Sequence, residues 1–378
     1  MTKRLSRIQN LLNQQNLDAA IISSAANITY LTGFLGFSKE ERDAYLLITK
    51  TRAYIFTNAL YSEAVYEKVP HFALTEITSS TPFVKSLKKL ITKHKIKKLG
   101  IEENDMTVSE YNKLSHSLRS LLAKQGETLQ NFSLQNLREI KSVHEIQQIK
   151  KACEISDKAF THILKKIKTG VTEQKIAFEL EIFMKKNGAD ISFPPIVAFG
   201  SHSSIPHHSA NNQQLASRRS GLITNNVILL DFGARFNGYC SDMTRTIFFG
   251  KATNEQKKMY KTVLNAQQKA IEFIQKETPS RRSLLEKNEI KASEVDRIAR
   301  DYIISQGYPT IPHSLGHGIG LQVHEAPSLS QKSKDILAVS ASKIYSSSKL
   351  ENSSNSPNPQ KRLSNYRHYS LKNNSMLQ

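Results

Sequence analysis

Asp231 and Asp242 flank an Asn237-Gly238 step inside the run Val227-Ile-Leu-Leu-Asp231-Phe-Gly233-Ala-Arg-Phe-Asn237-Gly238-Tyr-Cys-Ser-Asp242-Met-Thr-Arg-Thr246. Asn-Gly between two stretches rich in β-branched and aromatic residues is the signature of a two-residue type I′ hairpin. With those two residues as the loop, Asp231 opposes Thr244, and Asp242 lies two residues from Thr244 on the same face. Diagonal positions place their Cβ atoms ~7–8 Å apart, a separation that one or two cations can bridge through carboxylate oxygens. Most aspartates are solvated surface acids. Asp231 differs because it directly follows Val-Ile-Leu-Leu, where burying an unpaired carboxylate is costly.

A second chemical signal is His313-Ser-Leu-Gly316-His317-Gly318-Ile-Gly320-Leu-Gln-Val-His324-Glu-Ala-Pro327, with three histidines inside twelve residues. A lone histidine is usually structural, but these are clustered, and the glycines let backbone and ligand approach closely. The His317-to-His324 spacing does not fit one helical face, and three glycines in five residues disfavour a helix. The segment reads as a loop entering a strand, in which His317 and His324 need not do the same job. A third run, Phe193-Pro194-Pro195-Ile-Val-Ala-Phe-Gly200-Ser-His202-Ser-Ser-Ile-Pro206-His207-His208, is weaker, since its histidines can be ordinary loop residues.

The elements that must hold these residues fall into two groups. Up to about residue 135, strand-like runs at Ala19 to Ile22, Ala44 to Ile48 and Ala53 to Phe56 alternate with helical stretches such as Phe83 to His94, which is an α/β pattern. From Ser142, the residues Val143, Ile146, Ile149, Ala152, Ile155 and Ala159 recur at three- and four-residue steps and predict a long amphipathic helix. A domain boundary is expected between 135 and 142. Further helices are expected at Thr172 to Asn187, capped by Thr172 and stopped at Asn187-Gly188, and at Glu255 to Lys276 and Ala292 to Gln306. Thr278 to Ile290 has no apolar period and reads as an exposed inserted loop.

At 378 residues the chain exceeds the ~250–300 residues at which single cores stop growing, so two domains are expected. Hydrophobic residues make up 39% and charged residues 23%, and no apolar run approaches the ~20 residues of a membrane span. No secretory h-region follows Met1, and a cytoplasmic, soluble protein is expected. Cys153 and Cys240 are too few for a disulfide framework and read as reduced packing residues. The net charge of +20 comes from scattered lysines without interleaved aromatics, so neither nucleic acid nor membrane is expected as a partner.

The three chemical segments, in this order, resemble the pita-bread metallopeptidases that include Xaa-Pro aminopeptidase, prolidase and, more distantly, methionine aminopeptidase. The stretch Ala20-Ile-Ile-Ser-Ser-Ala-Ala-Asn27-Ile-Thr-Tyr30-Leu-Thr-Gly33 is similar to the N-terminal domain of the creatinase/prolidase branch. The resemblance implies an α/β N-terminal domain over residues 1–135 and an α+β pita-bread catalytic domain over 142–337. It also implies that Asp231, Asp242 and His317 are metal ligands, that His207 and His324 are catalytic histidines facing the substrate, and that His313 lines a proline pocket. The implied cofactors are two divalent ions, manganese before cobalt or zinc. The implied partners are proline-containing peptides or dipeptides, and a homodimer fits the branch.

Two further glutamate ligands belong to the resemblance, one in a segment like Ile-Glu-Pro-Gly and one in an Arg-x-Glu-Asp strand. Neither segment occurs here: after Glu325 the acids are Asp335 and Glu351. From Gln331 to Gln378 there are twelve serines and six asparagines, and this composition cannot offset its ordering entropy, so residues 339–378 are expected to be disordered. A change of reading frame near codon 339 is the expected cause of the abrupt shift, with a genuine tail as the alternative. The expectation is a catalytic domain incomplete at its C-terminus and an impaired peptidase. The alternative is a non-catalytic peptide-binding protein on the same scaffold.

Overall fold

The computed structural model describes residues 2–38, 40–122, 129–215, 227–277, 289–337 and 370–371. The chain divides into two compact units, with the division after Arg138. Among the described residues, no helix is long and apolar enough to cross a membrane.

The first unit contains helices α1 (Thr2–Gln14), α2 (Ala25–Thr32), α3 (Ala59–Lys68), α4 (Phe83–Lys93), α5 (Val108–Leu122) and α6 (Gln135–Glu139), the last of which spans the division. Its strands are β1 (Ala19–Ile22), β2 (Ala44–Thr49), β3 (Ala53–Asn58), β4 (Ala73–Ile77), β5 (Leu99–Ile101) and β6 (Leu129–Asn131). They form one six-stranded sheet in the order β4-β3-β2-β1-β5-β6. The β1–β2 and β2–β3 pairs are antiparallel and the others parallel, as the α/β alternation requires. All four residues of β1, Ala19-Ala20-Ile21-Ile22, are buried, which explains why the strand reads as a continuous apolar run rather than an alternating one.

The second unit opens with α7 (Val143–Leu164). Ser142 accepts a hydrogen bond from Glu145 N, and the Glu145 side chain accepts one from Ser142 N, a complete capping box. Glu145 is itself buried and also accepts from Tyr239 Oη, so the start of α7 is tied to the hairpin that carries Asp231 and Asp242. Helix α8 (Glu173–Lys186) is capped by Thr172, whose hydroxyl accepts from Lys175 N, and Gly188 follows at φ 75°.

Strands β7 (Asp190–Ile191), β8 (Ile196–Phe199), β9 (Val227–Phe232), β10 (Ala234–Phe236), β11 (Tyr239–Cys240) and β12 (Met243–Phe248) come next. Together with α7 and α8 they enclose a core that includes Ile155, Ile176, Leu180, Val197, Leu230 and Phe232.

Helix α9 (Asn254–Glu277) then precedes β13 (Ile290–Lys291) and α10 (Ala292–Ser305), followed by β14 (Gly316–Gly318), β15 (Glu325–Leu329), β16 (Ile336–Leu337) and β17 (Ser370–Leu371). A second core joins Ala266, Ala270, Val295, Ala299, Leu315 and Leu329. Of the loop expected over 278–290, residues 278–288 lie outside the described residues. Its last residue is not loop, because Ile290 pairs with Leu337 and buries its side chain in this core. The expected tail at 339–378 also lies outside the described residues except for β17, which pairs with Gly316 and His317 of β14.

Candidate metal centre

The hairpin forms in the register that the Asn-Gly step predicts. Asn237 and Gly238 have φ of 47° and 83°, the positive values a type I′ turn requires, and Phe236 pairs with Tyr239 across it. Further along, Thr244 pairs with Asp231, and the Thr244 hydroxyl donates to Asp231 Oδ1 at 2.9 Å. Asp231 lies on the central strand of the β12-β9-β8 sheet, with Ile196 on its other side.

Between the two paired stretches the ladder opens. There the buried hydroxyls of Ser156 and Ser241 both accept from Ala234 N and lie 2.7 Å from each other. Asp242 leaves the ladder at this opening, and its side chain is only 2% exposed.

His317 reaches Asp242 from β14, with Nε2 3.4 Å from Asp242 Oδ2. His317 Nδ1 lies 3.0 Å from the Gly318 carbonyl oxygen. A ring nitrogen bonded to a carbonyl must carry a proton, so in the neutral ring the lone pair lies on Nε2. That nitrogen is buried and has no hydrogen-bond partner. A buried lone pair facing a carboxylate is unfavourable unless a metal cation or a proton lies between them. Two ligand atoms held ~2.0–2.1 Å from one ion at a tetrahedral angle stand ~3.3 Å apart, close to the separation present.

The glycine-rich segment is a loop that enters a strand, as its sequence predicts. Gly316–Gly318 is a strand, and His324 sits in the turn leading to β15. Glycine is required at 318 because a Cβ there would stand 2.2 Å from the Ala326 carbonyl oxygen. The close approach that the glycines allow is made here by the backbone of the neighbouring strand. The hairpin stacks the His324 ring edge-on to His317, with centroids 4.4 Å apart. Among the described residues, Asp242, His317 and His324 form a group whose ligand atoms all lie within 4.8 Å of one another, and Asp231 is not a member of it.

His313 is positioned from behind. Its carbonyl oxygen accepts from Arg300, which also holds the Ile311 carbonyl, while Asp296 on the same helix pairs with Arg300 and accepts from Leu315 N. His207 lies in an exposed loop after a 3-10 turn at Gly200–Ser204, with φ 54°.

Cys240 N donates to the Gly320 carbonyl, joining β11 to the histidine segment, and burial pushes its thiol pKa up, as befits an inert packing residue. Glu325 receives Lys141 Nζ at 3.1 Å and Gln322 N at 3.1 Å, fixing the turn beside His324.

One cluster escaped the sequence reading: Glu173, His202 and His208. Its histidines could pass for ordinary loop residues, and an acid in the first turn of a helix has an ordinary explanation in the helix dipole.

Residues 147–343 match the model of metallopeptidase family M24. The chain belongs to metallopeptidase family M24. Its first unit matches the creatinase/prolidase N-terminal domain over residues 4–140. The two-domain architecture is that of an α/β N-terminal domain followed by an α+β pita-bread catalytic domain.

Among M24 relatives, the chain is 34% identical over 337 residues to the uncharacterised peptidase YqhT of Bacillus subtilis, covering 88% of this chain and 87% of YqhT. It is 32% identical over 339 residues to an Xaa-Pro dipeptidase of Pyrococcus horikoshii, covering 89% and 87%. Of solved structures, an Xaa-Pro dipeptidase from Bacillus anthracis superposes with a TM-score of 0.74 at 31% identity, covering 89% of this chain and 86% of that one.

Proposed function

We propose that this M24 chain is built for metal-dependent hydrolysis of the bond preceding proline in short peptides. The observation that carries the reading is the buried Nε2 of His317, without a hydrogen-bond partner and 3.4 Å from the Asp242 carboxylate, in a chain similar to Xaa-Pro dipeptidases. Asp242, His317 and Asp231 are the proposed metal ligands. A carboxylate-rich set favours manganese, with cobalt or zinc as alternatives. When bound, a divalent pair would lower the pKa of a water and polarise the scissile carbonyl.

The chain's own residues do the rest. Gly318 O holds the His317 tautomer, and Thr244 fixes Asp231 Oδ1. The exposed His324, edge-on to His317, and the exposed His207 steady the peptide, and His313 lines the proline pocket. A homodimer in the cytoplasm belongs to the same proposal.

The sequence contains no counterpart of the two glutamates that the family resemblance implies, so the proposed activity is weak. The membership of Asp242, His317 and His324 in one group, with Asp231 outside it, favours a second reading: peptide binding with little turnover. The test is hydrolysis of an Xaa-Pro dipeptide and an Xaa-Pro tripeptide by the purified chain with added manganese. Slow metal-dependent release supports the leading reading, and binding without release the second. Robust release would show that other groups replace the missing glutamates.

A further inference from the structure

We propose that Glu173, His202 and His208 form a zinc site that shares no residue with the Asp242–His317–His324 group. Glu173 is the first residue of α8 and is fully buried, a costly place for a carboxylate unless every oxygen lone pair is engaged. Oε1 accepts from Phe199 N at 2.7 Å and lies 2.8 Å from His202 Nδ1. Oε2 accepts from Asn211 N at 3.3 Å and lies 2.8 Å from His208 Nε2. Each oxygen therefore has one fixed backbone donor and one imidazole.

The two rings lie side by side, with centroids 4.4 Å apart and planes inclined by 37°. All three ligand atoms fall within 4.8 Å of one another. Two imidazoles and a carboxylate are the composition of zinc sites that keep a fourth position for water.

The backbone donors give the carboxylate the orienting contacts that metal-bound carboxylates have. They come from β8 and from the 211–215 stretch, which is anchored to the helix start by Glu173 N donating to Gln213 O and Gln174 N to Asn211 O. Ligand atoms ~2.0–2.1 Å from an ion stand ~2.9–3.4 Å apart for angles of 90–109°, and the 2.8 Å separations of His202 Nδ1 and His208 Nε2 from the Glu173 oxygens are already close to that range. On binding, each neutral ring shifts its proton to its other nitrogen and turns from donor to ligand, while a protonated ring releases its proton. His202, with its side chain 25% exposed, gives the ion a way in.

The two imidazole ligands flank His207 in sequence, so the ion would brace the loop that presents it. That consequence rests on the peptidase reading. The site does not.

Zinc chloride alone is the probe, and bound zinc per chain after dialysis is the readout. In an Asp242→Asn/His317→Gln background, which disables the proposed peptidase centre, one zinc equivalent is expected to remain. Adding His202→Asn and His208→Gln is expected to remove it. These replacements place an amide nitrogen where each ring nitrogen met Glu173, so the hydrogen bonds persist while the metal-binding lone pair is lost. Unchanged thermal unfolding would confirm that the fold is retained. No zinc in the first background, or zinc retained after the second pair of changes, overturns the proposal. Should the fourfold variant fail to fold, His202→Asn alone in the same background is expected to weaken zinc binding at least ~10-fold, and unchanged affinity overturns the proposal equally. None of these readouts depends on peptidase activity.

Discussion

His317 Nε2 and Asp242 Oδ2 stand 3.4 Å apart, one contributed by the β14–β15 hairpin and the other by the opening in the β9–β12 ladder. Asp242→Asn and His317→Gln are each expected to weaken manganese binding by more than the ~10–100-fold that follows loss of an orienting partner, because each removes a ligand outright. Manganese should then no longer raise the thermal midpoint, since that rise is a mass-action effect of binding to the folded state. The comparison is midpoint against manganese concentration for parent and variants. Equal rises would remove both residues from the metal site.

The Arg300–Asp296 pair is expected to be the main anchor of the segment that leads to His313. Both side chains are nearly inaccessible, at 7% and 0%, and Arg300 also holds the carbonyls of Ile311 and His313. Removing one partner of a buried pair leaves an uncompensated charge, so Asp296→Ala should cost ~3–5 kcal/mol. A double replacement with apolar residues, Asp296→Leu with Arg300→Met, should cost less than Asp296→Ala. Urea unfolding of the three proteins checks the order, and a double variant less stable than the single one would contradict it.

How much of this was legible in the sequence depended on how local the cause was. The Asn237-Gly238 turn sets its own register, so the opposition of Asp231 and Thr244 could be read from two residues and a count. Thr172 could be read as a cap because a cap is satisfied within three residues of itself. Gly318 was legible only as a point of close approach, since nothing nearby in sequence signals that the group it admits is the Ala326 carbonyl. Glu173 was illegible for a related reason: the rings that meet it arrive through a 3-10 turn and a loop of positive φ at His207, not through any periodic element.

The first unit should lose stability in acid partly through Glu110. Burial by itself would raise this carboxyl, but hydrogen bonds from Arg42, Thr107 and Tyr45 outweigh it and hold the pKa at about 2, against an ordinary 4.5. As pH falls through that interval the unfolded chain takes up the proton first, so stability present above the ordinary value is lost on the way down to about 2. Glu102 acts in the opposite sense, since burial raises its pKa, so the contribution of Glu110 must be read by difference. Thermal midpoints of the parent should fall more steeply with acid than those of Glu110→Gln. Parallel curves would show that the Arg42 pair contributes nothing.

Gly318→Ala should separate the two histidines without touching either. The new Cβ would stand 2.2 Å from Ala326 O and 3.0 Å from Glu325 O, both backbone atoms of β15 that cannot swing aside. The strands must part, at a cost of ~1–3 kcal/mol typical of overpacking. His317 lies on one side of that contact and His324 on the other, and their rings meet at 4.4 Å only while the hairpin is closed. The Gly318 carbonyl that holds the His317 tautomer would move with it. Manganese binding should therefore fall together with stability, even though every proposed ligand is still present. If stability drops while metal affinity is unchanged, the hairpin does not position His317, and the close packing at Gly318 serves the fold alone.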